Sequence, residues 1–536
     1  RILPYDSSML LDFRPRLRRR IACLLSAIAV CAPMQPVFAQ INLPELGDAD
    51  TEALSPAIER RIGERAVLDM RRSGEIDDDQ ETAEYLNMLG GELAAASAVS
   101  AHEAGVAAAD FSFFAVHDGT INAFALPGGF IGVNTGLITA TQTESELASV
   151  LGHEIGHVTQ RHIARMIGQQ KASTLAILGA LAAAILAARS NSSSSGDLAQ
   201  AAILFGQAGV LQSQLAFSRE AEREADRVGF QTLVRAGFDP QGMVSFFERL
   251  QKASRLYESN APAYMRTHPL TVERITDMQN RARAERYRQR PDRFDYLLVR
   301  ARTRALADAS VNSLRDVETA FTDAVTHSAG GHNLVTAADY YGLAVAQFQL
   351  REFAQASASM AQAHARGDAH PFLAKLDADL LIATGHAADA VVALDAARKR
   401  WGTSALLRGA YAQALQAAGR HPEAVVYLRE QTTLYRGDPR LFDLLAKSYA
   451  ALGQQARSHI ALAEVYRLRG STASAVEQLE QAQRLTRADT TPDDFALASE
   501  VNARLREVRA QMQDEIRERG GKGDGTQLRA VAHAAA

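Results

Sequence analysis

Three glycines that recur at a 34-residue interval, Gly385, Gly419 and Gly453, place the strongest constraint on how the C-terminal half of this chain can fold. The same spacing relates three alanines: Ala356, Ala390 and Ala424. A period of this length means that each unit is one supersecondary element, which buries its apolar face only against its neighbours. The segment is rich in alanine, so we expect each unit to be a pair of helices.

A 34-residue helix pair with small residues at the helix contacts is typical of tetratricopeptide repeats. Pro371 and Pro439 each begin a segment, as proline often does at a helix start. The predicted units are residues 337–370, 371–404, 405–438 and 439–487, and Gly470 falls at a further turn. Such an array has a curved surface that suits a protein partner. The alternative is a helical domain without repeats.

The residues from 151 to 157 constrain the chemistry, because they read Leu-Gly-His-Glu-Ile-Gly-His. Positions i and i+4 of a helix share one face, so His153 and His157 can bind one zinc ion per chain. Glu154 would then face the water that the ion activates and act as the catalytic base. Thr143 and Glu146 have the capping-box form, which predicts that the helix begins there.

A catalytic zinc site needs a third protein ligand and one open position. The candidate segment is 217–226, Phe-Ser-Arg-Glu-Ala-Glu-Arg-Glu-Ala-Asp. Glu222 and Asp226 are separated by one helical turn and share a helix face. We predict Glu222 as the third ligand and Asp226 as the acceptor for the free N–H of a ligand histidine. Glu224 is the alternative ligand, and Glu220 is expected on a solvated face.

Three short strands are predicted before the zinc helix, at residues 111–116, 120–126 and 130–138. Asp118 and Gly119 form a strong turn signal after the first strand, and Pro127 with two glycines ends the second. An edge strand beside a zinc helix can pair with an extended peptide and hold it across the metal. The alternative is a strand with no role in substrate binding.

Two further segments bear on access to the site. Residues 172–188 and 198–210 are apolar and flank a serine-rich loop. We predict a helix–loop–helix hairpin that covers the active site or contacts the membrane surface; a membrane span is the alternative, although the first segment is short for one. His268 precedes Pro269, which favours an extended or turn conformation. His268 could gate the site as an extra ligand, donate a hydrogen bond to the transition state, or lie on a surface loop.

The segment 1–39 has the character of a signal peptide. It carries a net charge of +4, with a basic segment at 14–20, an apolar segment at 21–30 and a cleavage site near Ala39. Translation is interpreted as beginning at Met9, with residues 1–8 untranslated; an uncleaved anchor is the alternative. Both cysteines, Cys23 and Cys31, lie in this segment, which suits an oxidising compartment such as the periplasm. The remainder carries about −8, which gives no case for nucleic-acid binding.

Three motifs together resemble one family: residues 122–129 (Asn-Ala-Phe-Ala-Leu-Pro-Gly-Gly), His153-Glu154-x-x-His157, and Glu222-x-x-x-Asp226. They are similar to the HtpX/CAAX-prenyl-protease superfamily of zinc metallopeptidases and, with the repeats, to its BepA-like (YfgC) periplasmic branch. The resemblance implies zinc bound by His153, His157 and Glu222, with Glu154 as general base. It also implies a substrate cleft lined by one strand: Asn122, Ala123, Phe124 and Ala125.

The resulting prediction is an α+β, mainly α fold: a gluzincin-type metalloprotease domain with a small β-sheet, followed by an α-solenoid of tetratricopeptide repeats. The predicted divisions are a signal peptide at 1–39, the protease domain at 40–290, the repeats at 291–519 and a disordered tail at 520–536. The predicted function is a periplasmic zinc endopeptidase that cleaves misfolded or stalled envelope proteins and assists outer-membrane protein assembly. The resemblance implies the outer-membrane β-barrel assembly machinery as a partner. The alternatives are a chaperone or scaffold with residual proteolysis and, more weakly, a membrane-bound prenyl-protein protease.

Overall fold

The computed structural model describes residues 55–103, 110–169, 218–256, 262–286, 288–327, 331–486 and 492–520. The predicted signal peptide, the apolar segments at 172–210 and residues 521–536 of the predicted tail lie outside these ranges. Among the helices that are described, none combines the length and the apolar character needed to cross a membrane. The described chain is mainly helical with a small sheet, which confirms the predicted fold class.

In the first part of the described chain the elements are α1 (Pro56–Arg72), α2 (Gln80–Glu103), β1 (Ser112–Val116), β2 (Ala123–Leu126), β3 (Phe130–Asn134), α3 (Thr135–Ala140), α4 (Glu144–Thr159), α5 (His162–Gln169), α6 (Arg219–Arg235), α7 (Gln241–Leu256), α8 (Ala263–Thr267) and α9 (Val272–Ala284). In the second part they are α10 (Phe294–Ala305), α11 (Val311–Thr326), α12 (Leu334–Gln349), α13 (Phe353–Arg366), α14 (Pro371–Ala383), α15 (Ala387–Arg400), α16 (Ala405–Ala417), α17 (His421–Leu434), α18 (Pro439–Ala451), α19 (Gln455–Leu468), α20 (Thr472–Leu485) and α21 (Pro492–Gly520).

The sheet has the strand order β1-β3-β2, with β1 parallel to β3 and β2 antiparallel to β3. The turn at Pro127 therefore closes a hairpin between β2 and β3. The turn signal at Asp118 and Gly119 does not close one, because β1 and β2 are not neighbours. The third predicted strand is wrong beyond Asn134, where the chain turns into α3. That turn is held from outside the strand, since the Gly136 N–H donates to the Asp118 carbonyl over 2.8 Å.

The helix pairs of the second part keep the predicted period. Helices α14, α16 and α18 begin at 34-residue intervals, and so do α15, α17 and α19. Gly385, Gly419, Gly453 and Gly470 each end a helix with φ between 70 and 86°. Glycine adopts this left-handed conformation without a steric penalty, which explains the spacing seen in the sequence. Arg351 takes the same conformation, with φ of 61°, one period before Gly385.

One apolar core crosses the predicted domain boundary at residue 290. It extends from Tyr85 on α2 through α4, which carries the His-Glu-x-x-His motif, to Leu406 at the start of α16. Helix α10 lies in the middle of this core, where Tyr296 is fully buried and its ring is tilted against that of Tyr85, with the centroids 6.4 Å apart. The first helix pairs therefore share their interior with the segment that carries the candidate site.

Polar contacts also join α1 and α2 to the helix pairs. The Glu84 carboxylate accepts the Leu406 N–H over 2.8 Å and the Ser404 hydroxyl over 3.1 Å, so a residue of α2 caps α16. Further along, the Arg72 guanidinium of α1 donates to the Gly470 carbonyl. The first two helices are thus in contact with the start of α16 and with the turn before α20.

A buried charge cluster lies at the same junction. The Arg302 guanidinium contacts Asp79 at 2.7 Å and Glu81 at 3.4 Å, and Lys375 lies 3.8 Å from Glu81. Burial opposes ionisation of Asp79, but Arg302 holds the pKa of its carboxyl below the usual value. The cluster connects α2, α10 and α14, so it ties the candidate protease segment to the helix pairs.

We expect Arg302→Met to lower the free energy of unfolding by about 3–5 kcal/mol, because it leaves two buried carboxylates without their principal cation. Thermal and urea unfolding of the two proteins would measure the loss. Arg315→Met is the matched control, since that arginine is half exposed and its ion pairs lie at the surface. An unfolding midpoint of Arg302→Met equal to that of the control would contradict this account.

Candidate metal centre and active site

Helix α4 brings the His-Glu-x-x-His motif into the interior of the fold. The Thr143 hydroxyl accepts the Glu146 N–H over 3.2 Å, so the helix begins where the capping box predicts. Small residues let α4 and α6 approach closely: a Cβ added at Gly152 would lie 3.0 Å from the Gly229 carbonyl oxygen, and one added at Gly156 would lie 2.9 Å from that of Ala225. This close approach sets the motif directly against the helix that carries Glu222.

Four buried side chains converge at one point: His153, His157, Glu222 and His268. Their ligand atoms all lie within 4.8 Å of one another. The Nε2 atoms of the first two histidines are 3.0 Å apart. A Glu222 carboxylate oxygen lies 3.4 Å from His157 Nε2 and the other lies 3.5 Å from His153 Nε2.

The residues present fit a metal ion. His153 Nδ1 lies 2.9 Å from Asp226 Oδ1, so Nδ1 is the nitrogen that keeps its proton when the Nε2 lone pair binds a metal. His157 likewise directs Nδ1 away from the ligand group, toward His162 Nδ1. Two imidazole lone pairs and one carboxylate thus face the same small buried space, where only a cation can satisfy them together.

The electrostatics of the group favour a cation. Burial alone would lower the pKa of His153, but hydrogen bonds with Asp226 and Glu222 raise it to about 9. Burial opposes ionisation of Glu222 too, yet His268 and the neighbouring histidines hold the pKa of its carboxyl well below the usual value. The two carboxylates therefore remain charged in the interior, and their field stabilises positive charge on the histidine side of the site.

Burial raises the pKa of the Glu154 carboxyl, against the opposing effects of His268 and His153. Its side chain is fully buried beside the ligand group. A raised pKa makes the carboxylate a stronger proton acceptor, which suits a group that takes a proton from water and later returns it.

Arg274 was not singled out from the sequence, and the structure places it at the centre of the hydrogen-bond network. Its guanidinium donates to both Asp226 oxygens, over 2.6 and 2.8 Å, and lies 2.7 Å from a Glu222 oxygen. It also donates to the Pro269 carbonyl over 2.8 Å. Arg274 is only 3% exposed. One cation thus orients the predicted ligand, the carboxylate behind His153 and the loop that follows His268.

His268 lies within the ligand group rather than on a surface loop. Its Nδ1 is 3.0 Å from Glu222 Oε1 and its Nε2 is 3.5 Å from Glu154 Oε1. The ring stacks on Tyr264 with the centroids 4.7 Å apart, and the His268 N–H donates to the Tyr264 carbonyl. The Tyr264 N–H in turn donates to the Ile121 carbonyl over 3.1 Å, so this segment reaches the residues just before β2.

The predicted substrate strand is at the edge of the sheet. The Asn134 N–H of β3 donates to the Asn122 carbonyl over 3.0 Å, so Asn122 pairs inward. Pairing alternates along an antiparallel strand, so Phe124 also pairs inward. The backbone groups of Ala123 and Ala125 then point away from β3, and on that side the Ala125 N–H meets the Glu154 carboxyl.

Glu224, the alternative third ligand, lies outside the ligand group. Its carboxylate is 3.1 Å from His162 Nε2 and 2.6 Å from the Arg165 guanidinium. Glu220 is exposed, as expected. The sequence did not single out His162 either, although it lies just beyond the zinc helix, in a segment that reads as polar surface.

The chain is similar to known peptidases. The model of Peptidase family M48 matches residues 80–282. The protein named Beta-barrel assembly-enhancing protease of Escherichia coli (strain K12) is 32% identical over 473 residues, which is 88% of this chain and 93% of that protein. The Putative beta-barrel assembly-enhancing protease of Vibrio cholerae is 32% identical over 469 residues, 86% of this chain and 92% of that protein. The Mitochondrial metalloendopeptidase OMA1 of Schizosaccharomyces pombe is 34% identical over 164 residues, 31% of this chain and 44% of that protein. The chain therefore belongs to peptidase family M48 and is a metalloendopeptidase that acts on protein substrates.

Proposed function

We propose that this chain is a zinc-dependent endopeptidase of the bacterial periplasm, which cleaves misfolded or stalled envelope proteins and assists outer-membrane protein assembly. The observation that carries the proposal is the meeting of three features in one buried place. These are the convergent ligand group, the Glu154 carboxylate beside it and the side of β2, at Ala123 and Ala125, that does not pair with β3.

In this proposal His153, His157 and Glu222 hold one zinc ion per chain. Two imidazoles and one carboxylate form a ligand set that zinc takes in hydrolases. When bound, the ion polarises the scissile carbonyl and lowers the pKa of a water molecule. Asp226 supports the set by accepting the His153 Nδ1 proton, and Arg274 keeps that carboxylate in place.

Glu154 is the proposed general base. It takes a proton from the attacking water and returns it to the leaving amine. The substrate lies extended along Asn122, Ala123, Phe124 and Ala125, because an edge strand offers main-chain hydrogen bonds to any sequence. Recognition through the backbone suits clients that are unfolded or unpaired, whose strands are accessible.

His268 is the proposed gating residue. Its Nδ1 contacts both Glu222 and His153 Nε2, at 3.0 and 3.4 Å, so it stands where a fourth ligand would stand. A fourth protein ligand closes the position that a hydrolytic site keeps open. Movement of His268 away from this position would open the site and free its ring to donate a hydrogen bond to the transition state.

The divisions at 40–290 and 291–519 stay part of the proposal, with the second as a tetratricopeptide-repeat array that recruits clients or docks on the β-barrel assembly machinery. The name of the Escherichia coli relative supports an assembly role, and the 34-residue helix pairs support protein binding. For residues 172–210, which lie outside the described ranges, the proposal keeps both predicted roles, covering the active site or contacting the membrane surface. The periplasmic location rests on the signal-like segment 1–39 and on the absence of cysteine after Cys31.

Removal of the metal tests the catalytic part of the proposal. Dialysis against a chelator should abolish cleavage of an unfolded protein, and one equivalent of zinc should restore it. Zinc binding should also raise the midpoint of thermal unfolding, because the ion binds only the folded site. Glu222→Ala should resist restoration, whereas Glu220→Ala, on the exposed face of the same helix, should behave as the parent. Full cleavage by the chelated protein would refute the assignment.

A further inference from the structure

A second histidine lies directly behind the predicted ligand His157. His162 Nδ1 is 2.9 Å from His157 Nδ1, and His162 Nε2 is 3.1 Å from a Glu224 carboxylate oxygen. Arg165 donates to the same Glu224 oxygen over 2.6 Å. His162, Glu224 and Arg165 therefore continue from the ligand His157 as a hydrogen-bonded chain that reaches the surface.

The local backbone is shaped to place this histidine. Helix α4 ends at Thr159 and α5 begins at His162, so only two residues connect the helices. Arg161 makes that turn in the left-handed conformation, with φ of 51°, which is costly for a residue with a side chain. An ion pair from Arg161 to Glu59 on α1 holds the turn, its Nε lying 3.0 Å from the carboxylate. As a result the His162 ring is 3% exposed and lies edge-on to His157.

The protons of this chain can be assigned from its geometry. His157 presents Nε2 to the ligand group, so it can bind a metal only if its own proton is on Nδ1. That Nδ1–H then donates to His162 Nδ1, which must be the acceptor. The His162 proton is left on Nε2, where the Glu224 carboxylate accepts it. Each group has one compatible role, and the order follows from the metal-binding end.

The two ligand histidines are therefore supported differently. His153 Nδ1 lies 2.9 Å from the carboxylate of Asp226, which Arg274 neutralises in the interior. His157 donates to a neutral ring, and the carboxylate is one residue further out, where it is a quarter exposed. A neutral acceptor leaves the His157 ring less electron-rich than the His153 ring. The orientation of the His157 ring depends on the position of His162, because His162 accepts its Nδ1–H.

We propose that His162, held by Glu224, is a positioning residue for the metal ligand His157: it fixes the tautomer and the ring orientation that direct Nε2 at the metal. The proposal rests on the proposed function, since it takes His157 as a zinc ligand. It predicts that loss of the acceptor at His162 weakens metal binding while the fold is kept.

Zinc affinity tests this role, measured by competition with a chromophoric chelator on the full chain. His162→Leu keeps the volume but removes the ring nitrogen that accepts the His157 N–H, so we expect zinc affinity to fall about 10- to 100-fold. His162→Gln keeps an acceptor and a donor, and it should restore affinity to within about threefold of the parent. Glu224→Gln should lose less than His162→Leu. Glu220→Gln, on the exposed face of the same helix, is the control and should bind zinc as the parent does.

A second measurement needs no variant. In the zinc-loaded protein, nitrogen-15 NMR should find the His157 proton on Nδ1 and the His162 proton on Nε2. Parental affinity in His162→Leu, or a His162 proton on Nδ1 in the parent, would overturn the positioning role. If the parent itself binds no zinc, the proposed function fails instead, so the two failures are distinguishable. The unfolding midpoints of the metal-free proteins show whether any loss of affinity comes from a damaged fold.

Discussion

Glu154→Gln should reduce cleavage of an unfolded protein by about 10²- to 10⁴-fold, the range that a general base contributes. The amide has the shape of the carboxylate but cannot take the proton of the attacking water. Glu154 lies beside the ligand group but is not one of its four members, so the zinc content should remain one ion per chain. Initial rates of peptide-bond cleavage, with metal analysis of the same samples, measure both effects.

The matched control for Glu154→Gln is Glu220→Gln, which makes the same chemical change on an exposed helix face. Its cleavage rate should equal that of the parent. Retention of more than about a tenth of the parental rate by Glu154→Gln would be incompatible with the assigned base, given that range. Loss of zinc along with activity would instead assign Glu154 a role in metal binding.

The same variant separates the endopeptidase from the scaffold alternative. If cleavage is the main contribution to envelope assembly, Glu154→Gln should fail to rescue cells that lack the protein. If the helix pairs alone provide the function, the variant should rescue them fully. The contacts of α1 and α2 with α14, α16 and the turn at Gly470 favour coupling between the two parts over independent action.

Features with a repeating or local signal could be predicted from the sequence. The 34-residue period predicted the helix pairs because each glycine occupies a left-handed position that other residues rarely adopt. Arg351 occupies the equivalent position of the first pair, and nothing in its identity reveals this. The zinc helix could be placed because its cap and its apolar face are both local patterns.

Features that depend on distant partners could not be predicted. A buried Arg274 has the same sequence appearance as a surface arginine, because its burial is decided by Asp226, which is remote in the sequence. The strand order could not be predicted for the same reason. β1 pairs with β3, although β2 lies between them in the sequence, and a turn signal such as Asp118-Gly119 does not show which strands pair. The position of His162 depends on the left-handed turn at Arg161. Sequence patterns do not predict a left-handed conformation for arginine.

His268→Ala is expected to raise cleavage of an unfolded substrate by about tenfold or more. The reason is that His268 stands in the ligand group of the described conformation, 3.0 Å from Glu222. If the open state is a minor state of about 10% or less, removal of the closing side chain makes it the major one. Tyr264→Phe, which keeps the ring stacked on His268, is the control and should change the rate little.

Each alternative role of His268 gives a different result. A donor to the transition state would make His268→Ala slower by about 10²- to 10³-fold, as loss of such a donor does elsewhere. A rate equal to that of the parent would contradict both roles and leave His268 a structural residue. His268→Cys adds a further distinction, because a thiolate can still close the site as a zinc ligand but its thiol is only a weak hydrogen-bond donor. A gate predicts that the cysteine variant stays slow while the alanine variant is fast, and a transition-state donor predicts that both are slow.

The segment that carries His268 also contacts the residues next to the edge strand, because the Tyr264 N–H donates to the Ile121 carbonyl. A peptide that pairs along that edge would therefore compete with this segment. An acceleration by His268→Ala that is largest for poorly pairing substrates would therefore tie the gate to strand binding.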